Sequence, residues 1–201
     1  MGRATSADVT GNLFEETQHQ PLPSATMTQG AASMIYFASQ AITQNDSSHI
    51  DNMIEGLELY ESSGARFFTI QKLCHCAEVL LHFNRTEQAM EMLRKAKGRI
   101  AEQGERYFES EIHRFLGLAT EKAMDTPTMA VEKFYLRAIE VAKQQGTILF
   151  ELRAANDLAQ LTLSCGDHVG ARKLLEPYAQ CFSKNTELAE KIRLEQLLSA
   201  T

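Results

Sequence analysis

Ala89-Met-Glu-Met-Leu-Arg-Lys-Ala-Lys-Gly-Arg-Ile100 carries Ala89, Leu93, Ala96 and Ile100 at i, i+4, i+7 and i+11. That spacing draws one stripe along an α-helix, with Glu, Lys and Arg left for the other faces. The stripe recurs as His49, Met53, Gly56, Tyr60, then as Val131, Tyr135, Ala138, Ala142, and finally as Ala171, Leu175, Tyr178, Phe182. Successive starts lie 40, 42 and 40 residues apart. A period of this length is the mark of a helical repeat.

Each stripe follows another in the same register: Ser33, Tyr36, Phe37, Gln40; Leu73, Cys76, Ala77, Leu80; His113, Leu116, Gly117, Thr120; and Ala155, Leu158, Ala159, Thr162. The 16-residue step from first to second helix becomes 18 in the third unit, placing a two-residue insertion around Asp125-Thr-Pro127, where a loop accepts it. Gly64, Gly104 and Gly146 fall just after second helices, where a left-handed residue is wanted. Asn84 and Asp167 read as N-caps, Glu87 gives Asn84 a capping-box spacing, and Pro127 suits a first helical turn. Leu188, Ile192, Leu194 and Leu198 outline a last amphipathic helix able to cover the open end of a stack.

The expected organisation is a flexible leader over residues 1–28, rich in Ser, Thr, Gln, Gly and Pro, followed by an all-α repeat domain over 29–200. Its units run near 29–64, 65–104, 105–146 and 147–183, with a cap at 186–199. Such units cannot bury their faces singly and are expected to stack as a right-handed solenoid.

The small residues that pair first and second helices, Ala77 with Ala89, Gly117 with Val131 and Ala159 with Ala171, resemble those of the tetratricopeptide repeat in an elongated form. Gly104-Glu-Arg-Tyr-Phe-Glu-Ser-Glu-Ile-His-Arg114 and Gln145-Gly-Thr-Ile-Leu-Phe-Glu-Leu-Arg-Ala-Ala-Asn-Asp-Leu-Ala159 are similar to the C-terminal helical region of bacterial multidomain signalling proteins. In those, a class III adenylate or guanylate cyclase domain, or a transcriptional regulator module, is joined to a signalling ATPase and then to tetratricopeptide-like repeats. The resemblance concerns the accessory region alone. No Gly-x-x-x-x-Gly-Lys-Ser/Thr string is present, so no phosphate-binding or catalytic residue is carried over. The first unit departs from the pattern, with Phe37 and His49 standing where later units have small residues.

Charge and composition narrow the partners. With 26 acidic against 20 basic residues, the net charge of −6 does not give the basic footprint of a nucleic-acid or anionic-membrane binder. No run of about 20 apolar residues offers a membrane span, so a cytoplasmic protein is expected. Cys74, Cys76, Cys165 and Cys181 do not form a disulfide framework, and reduced thiols are expected.

The dense cluster Leu73-Cys-His-Cys-Ala-Glu-Val-Leu-Leu-His-Phe83 invites a metal reading. On a helix Cys74 and Cys76 diverge by about 200°, and neither a Cys-x-x-Cys nor a His-x-x-x-His spacing is present, so no metal or cofactor is expected. Cys76 belongs to the core stripe and His82 to solvent.

On a tetratricopeptide-like stack the concave groove would be lined by Gln71, Cys74 and Glu78, then Glu111, Arg114, Leu118 and Glu121, then Arg153, Asn156 and Gln160. Arg114 and Arg153 could grip a carboxylate or peptide terminus, or could instead pair with neighbouring glutamates. The expected function is a non-catalytic, non-enzymatic scaffold or regulatory module that holds a protein or peptide segment in this groove. The alternative is a sensor of a small anionic ligand in a signalling or transcriptional regulator.

Overall fold

A computed structural model describes residues 23–124, 129–182 and 187–201, apart from the side chains of residues 23, 24 and 103. The leader up to residue 22, the insertion at Asp125-Thr-Pro127 and the first-turn role of Pro127 lie outside the described residues. Within them the chain is all-α. Nine α-helices form, α1 (Pro23–Gln44), α2 (Ile50–Ser62), α3 (Thr69–His82), α4 (Thr86–Gln103), α5 (Glu109–Ala123), α6 (Met129–Gln145), α7 (Ile148–Ser164), α8 (His168–Leu175) and α9 (Ala189–Ala200). None of the described helices is long and apolar enough to cross a membrane.

Helix α1 begins at Pro23, inside the expected leader, because proline's fixed φ and missing N–H suit a first helical turn. Gly64, Gly104 and Gly146 take the left-handed conformation that closes a helix, at φ 77°, 70° and 67°. Asn84 is not an N-cap. At φ 58° it is the left-handed residue that ends α3, and the N–H of Arg85 reaches back to the Leu80 carbonyl at 2.8 Å. Asp167 does cap α8, accepting from the Gly170 N–H at 2.8 Å.

The chain divides between Arg99 and Ile100 into two compact units. In the first, α1 lies along α2, and α2 in turn meets α3. The expected stripes of α2, α3 and α4 face inward, with Met53, Gly56, Tyr60, Leu73, Cys76, Ala77, Leu80, Ala89, Leu93 and Ala96 buried. That of α1 does not: Tyr36, Phe37 and Gln40, like His49 before α2, are only half-buried, and α1 turns Met34, Ala38 and Ala41 inward instead. The irregular pair has a structural counterpart, since the rings of Phe37 and His49 stack at 6.0 Å where later units place small residues. Close approach moves instead to the far end of the helix pair. A Cβ on Gly30 would lie 2.4 Å from the Tyr60 backbone nitrogen, and one on Gly56 would lie 2.5 Å from that of Met34. Two glycines thus let the α1 and α2 backbones touch.

The second unit packs α5 on α6, α6 on α7 and α7 on α8. Its core joins Val131, Tyr135, Ala138, Leu152, Leu158, Leu175 and Tyr178 with Leu194 and Leu197 from α9. Gly117 admits the Tyr135 ring, which a Cβ there would meet at 2.6 Å. The Tyr135 hydroxyl donates to Glu121 at 2.7 Å, and burial together with that carboxylate pushes its pKa up. Helix α8 is shorter than the stripe implied. It passes at Glu176-Pro-Tyr178 into a 3-10 turn, which still leaves Ala171, Leu175 and Tyr178 buried.

Helix α9 is rotated from its expected face. Lys191, Leu194 and Leu197 are buried while Ile192 is 49% exposed. The reason lies in polar contacts that a reading of its leucines alone could not supply.

Candidate functional site

Helix α7 carries Arg153, Asn156, Asp157 and Gln160 at i, i+3, i+4 and i+7, which places all four on one helical face. It packs against both α5 and α9, and each of those helices brings an acid and an arginine three residues apart. From α5 come Glu111 and Arg114, whose guanidinium grips its own helix neighbour through two bonds of 2.9 Å each. The third arm of Arg114 reaches Asp157 at 3.0 Å. From α9 come Glu190, 2.7 Å from Arg153 Nε, and Arg193, 2.5 Å from the second oxygen of Asp157. Arg153 also lies 3.4 Å from Glu111.

Three arginines therefore face three carboxylates in a ladder running across α5, α7 and α9. Burial decides what each rung does. The side chains of Arg114, Glu111 and Asp157 are only 9%, 2% and 2% exposed, so this inner triad is a structural ion pair set within the unit. Burial pushes the Arg114 guanidinium pKa down, but Glu111 and Asp157 more than reverse this, and the group stays charged. Arg153 and Arg193 keep 32% and 42% of their side chains in solvent and form the outer rungs. At Glu190, partial burial raises the carboxyl pKa, yet the hydrogen bond from Arg153, a backbone N–H and the positive charges of Arg153 and Arg114 together outweigh it and hold the group below its ordinary value. Asn156 completes the face by donating to the Glu190 carbonyl at 2.9 Å.

The expected groove residues fall into distinct groups. Gln71, Glu78 and Gln160 are exposed, with Glu78 3.7 Å from His75. Cys74 is fully buried and belongs to the first unit's core, not to a surface. Its register with Arg114 and Asn156 does not carry a groove position here, because α3 is buried over most of its circumference, with Ile70, Leu73, Cys74, Ala77 and Leu81 all inside. Leu118 packs partly against the second core, and Glu121 holds the Tyr135 hydroxyl. Glu111, Arg114, Arg153 and Asn156 do come together, but Arg114 is committed to carboxylates of its own chain. Asp157, Glu190 and Arg193 were missed. The signal for Asp157 was its place beside Asn156, and that for α9 was the Glu-x-x-Arg spacing shared in charge with α5.

No protein-family model matches the chain, and no curated protein matches it significantly. Cys74 and Cys76 point into the core, and burial, followed by the nearby Glu61 carboxylate, pushes the Cys76 thiol up to about 12. Cys165 and Cys181 are exposed. A thiol reagent is therefore expected to modify two cysteines in the native protein and four in denaturant; reaction of Cys74 or Cys76 in the native state would contradict this packing.

Proposed function

We propose that the chain is a non-catalytic protein-interaction module that holds a helical or peptide segment of a partner against the α7 face. The observation that carries this reading is α9 itself: a helix of the same chain already lies against Arg153, Asn156 and Asp157, held by matched charges and two buried leucines. A face that seats one helix through complementary side chains has the chemistry to seat another. The strings at 104–114 and 145–159, similar to the accessory helical regions of cyclase and ATPase signalling proteins, favour a regulatory role in the cytoplasm. A small anionic ligand draws less support, because the arginines suited to it are already paired with carboxylates.

The test is affinity capture from a bacterial lysate with wild-type protein and Arg153→Ala/Gln160→Ala, read by mass spectrometry. Both substitutions lie on the exposed or half-exposed part of the face and leave the buried triad intact. A specific partner lost in the variant is the expected result. The same partner list for both proteins would remove the α7 face from the function.

A further inference from the structure

We propose that α9 is a built-in occupant of the α7 face and that this face selects helices carrying Glu and Arg three residues apart, with leucines one and four residues after the Arg. This rests on the interaction-module reading and specifies the partner it takes. In α9 the pattern is Glu190, Arg193, Leu194 and Leu197.

Three observations lead here. Charge order on the two helices is complementary, since Arg153 meets Glu190 and Asp157 meets Arg193, so a helix with the two charges exchanged would meet like charges at both rungs. Asn156 reads the backbone of the seated helix by donating to the Glu190 carbonyl. The fit of α9 is also incomplete. Asn156 is 1% exposed, and its side-chain oxygen is buried without a hydrogen-bond partner. An unsatisfied buried acceptor is unfavourable, and a helix whose seating supplies it with a donor gains a hydrogen bond that α9 does not make. Against this, α9 holds the advantage of attachment, because a tethered segment competes at an effective concentration of roughly millimolar. The site is therefore expected to open only to helices that fit better than α9 or when α9 is released.

The inner triad does not depend on α9. With α9 away, Arg114 still bonds Glu111 and Asp157 and Arg153 still meets Glu111, while Arg153 Nε, the Asn156 amide nitrogen and one oxygen of Asp157 become available. Release leaves a face with a cation, an amide and an anion in order along α7.

The experiment uses the full chain carrying Glu190→Arg/Arg193→Glu, which reverses the charges on α9 and leaves α7 unchanged. The probe is a fluorescein-labelled peptide of residues 187–201, followed by anisotropy. The variant is expected to bind it saturably and at least tenfold more tightly than wild type, and to reject a peptide bearing the same charge reversal. A folded variant that does not bind, or that binds both peptides alike, overturns the proposal. Hydrogen exchange of the wild type covers the case in which the variant fails to fold. Amides of α9 are expected to exchange by local opening at least tenfold faster than those of α7, and equal protection of the two helices would mean that α9 is a fixed part of the unit and overturn the proposal. The peptide belongs to the chain itself, so this result stands apart from the lysate capture. Failure here with a captured partner would move the partner elsewhere, whereas success here with no captured partner would leave the selectivity intact and count against the wider reading.

Discussion

Replacing Gly30 with alanine is expected to lower the stability of the protein by about 2–4 kcal/mol, an effect of the overpacking kind and near its upper range. In an unpacked helix the same change stabilises by roughly 0.5–1 kcal/mol, because alanine is the better helix former. Here the added methyl would lie 2.4 Å from Tyr60 N, 2.8 Å from Tyr60 Cα and 2.8 Å from Gly56 O. All three are backbone atoms, so no side chain can rotate away and α1 must move off α2. Gly98 supplies the internal control: it lies in the interior of α4 with nothing within 4 Å of an added Cβ. Gly98→Ala should therefore raise stability by the helix-propensity amount of roughly 0.5–1 kcal/mol. Urea denaturation of the two variants beside wild type gives opposite shifts in midpoint if the packing is as described. A neutral or stabilising Gly30→Ala would contradict the backbone contact.

Arg114→Ala should destabilise by about 3–5 kcal/mol, since it leaves Glu111 and Asp157 buried without their shared cation. Arg153→Ala, by contrast, removes a half-exposed rung and should cost about 1 kcal/mol or less of global stability. The two arginines looked equivalent on a helical projection. Burial separates them into a structural group and an accessible one, and denaturation of the two single variants measures the separation. Equal losses would contradict this division. The same argument makes Arg114→Ala a poor probe of binding, because a partner lost with it could report unfolding alone.

The second-helix stripes were legible because helix periodicity needs only apolar spacing, and at Met53, Leu93, Tyr135 and Leu175 it marks side chains that are fully buried. The irregular first unit was legible as a departure, at Phe37 and His49, but not in its remedy. Gly30 and Gly56 lie 26 positions apart in sequence, and only the helix crossing reveals that their backbones meet. Asn84 shows a different kind of ambiguity. Asn suits both an N-cap and a left-handed helix end, and the bond from Arg85 to Leu80 decides for the latter. The site was half legible. Arg114, Arg153, Glu111 and Asn156 were placed together by register, but the acids and arginine that complete the ladder sit on adjacent positions or on α9, whose rotation the leucines did not fix.

A partner seated on the α7 face is detected most directly by a photo-crosslinker placed at exposed Gln160 of α7, compared in the same lysate with one at exposed Glu140 of α6. The expected result is a specific adduct from position 160 that is diminished by Arg153→Ala and absent from position 140. Adducts of equal yield from both positions, or one indifferent to Arg153, would contradict a binding face on α7.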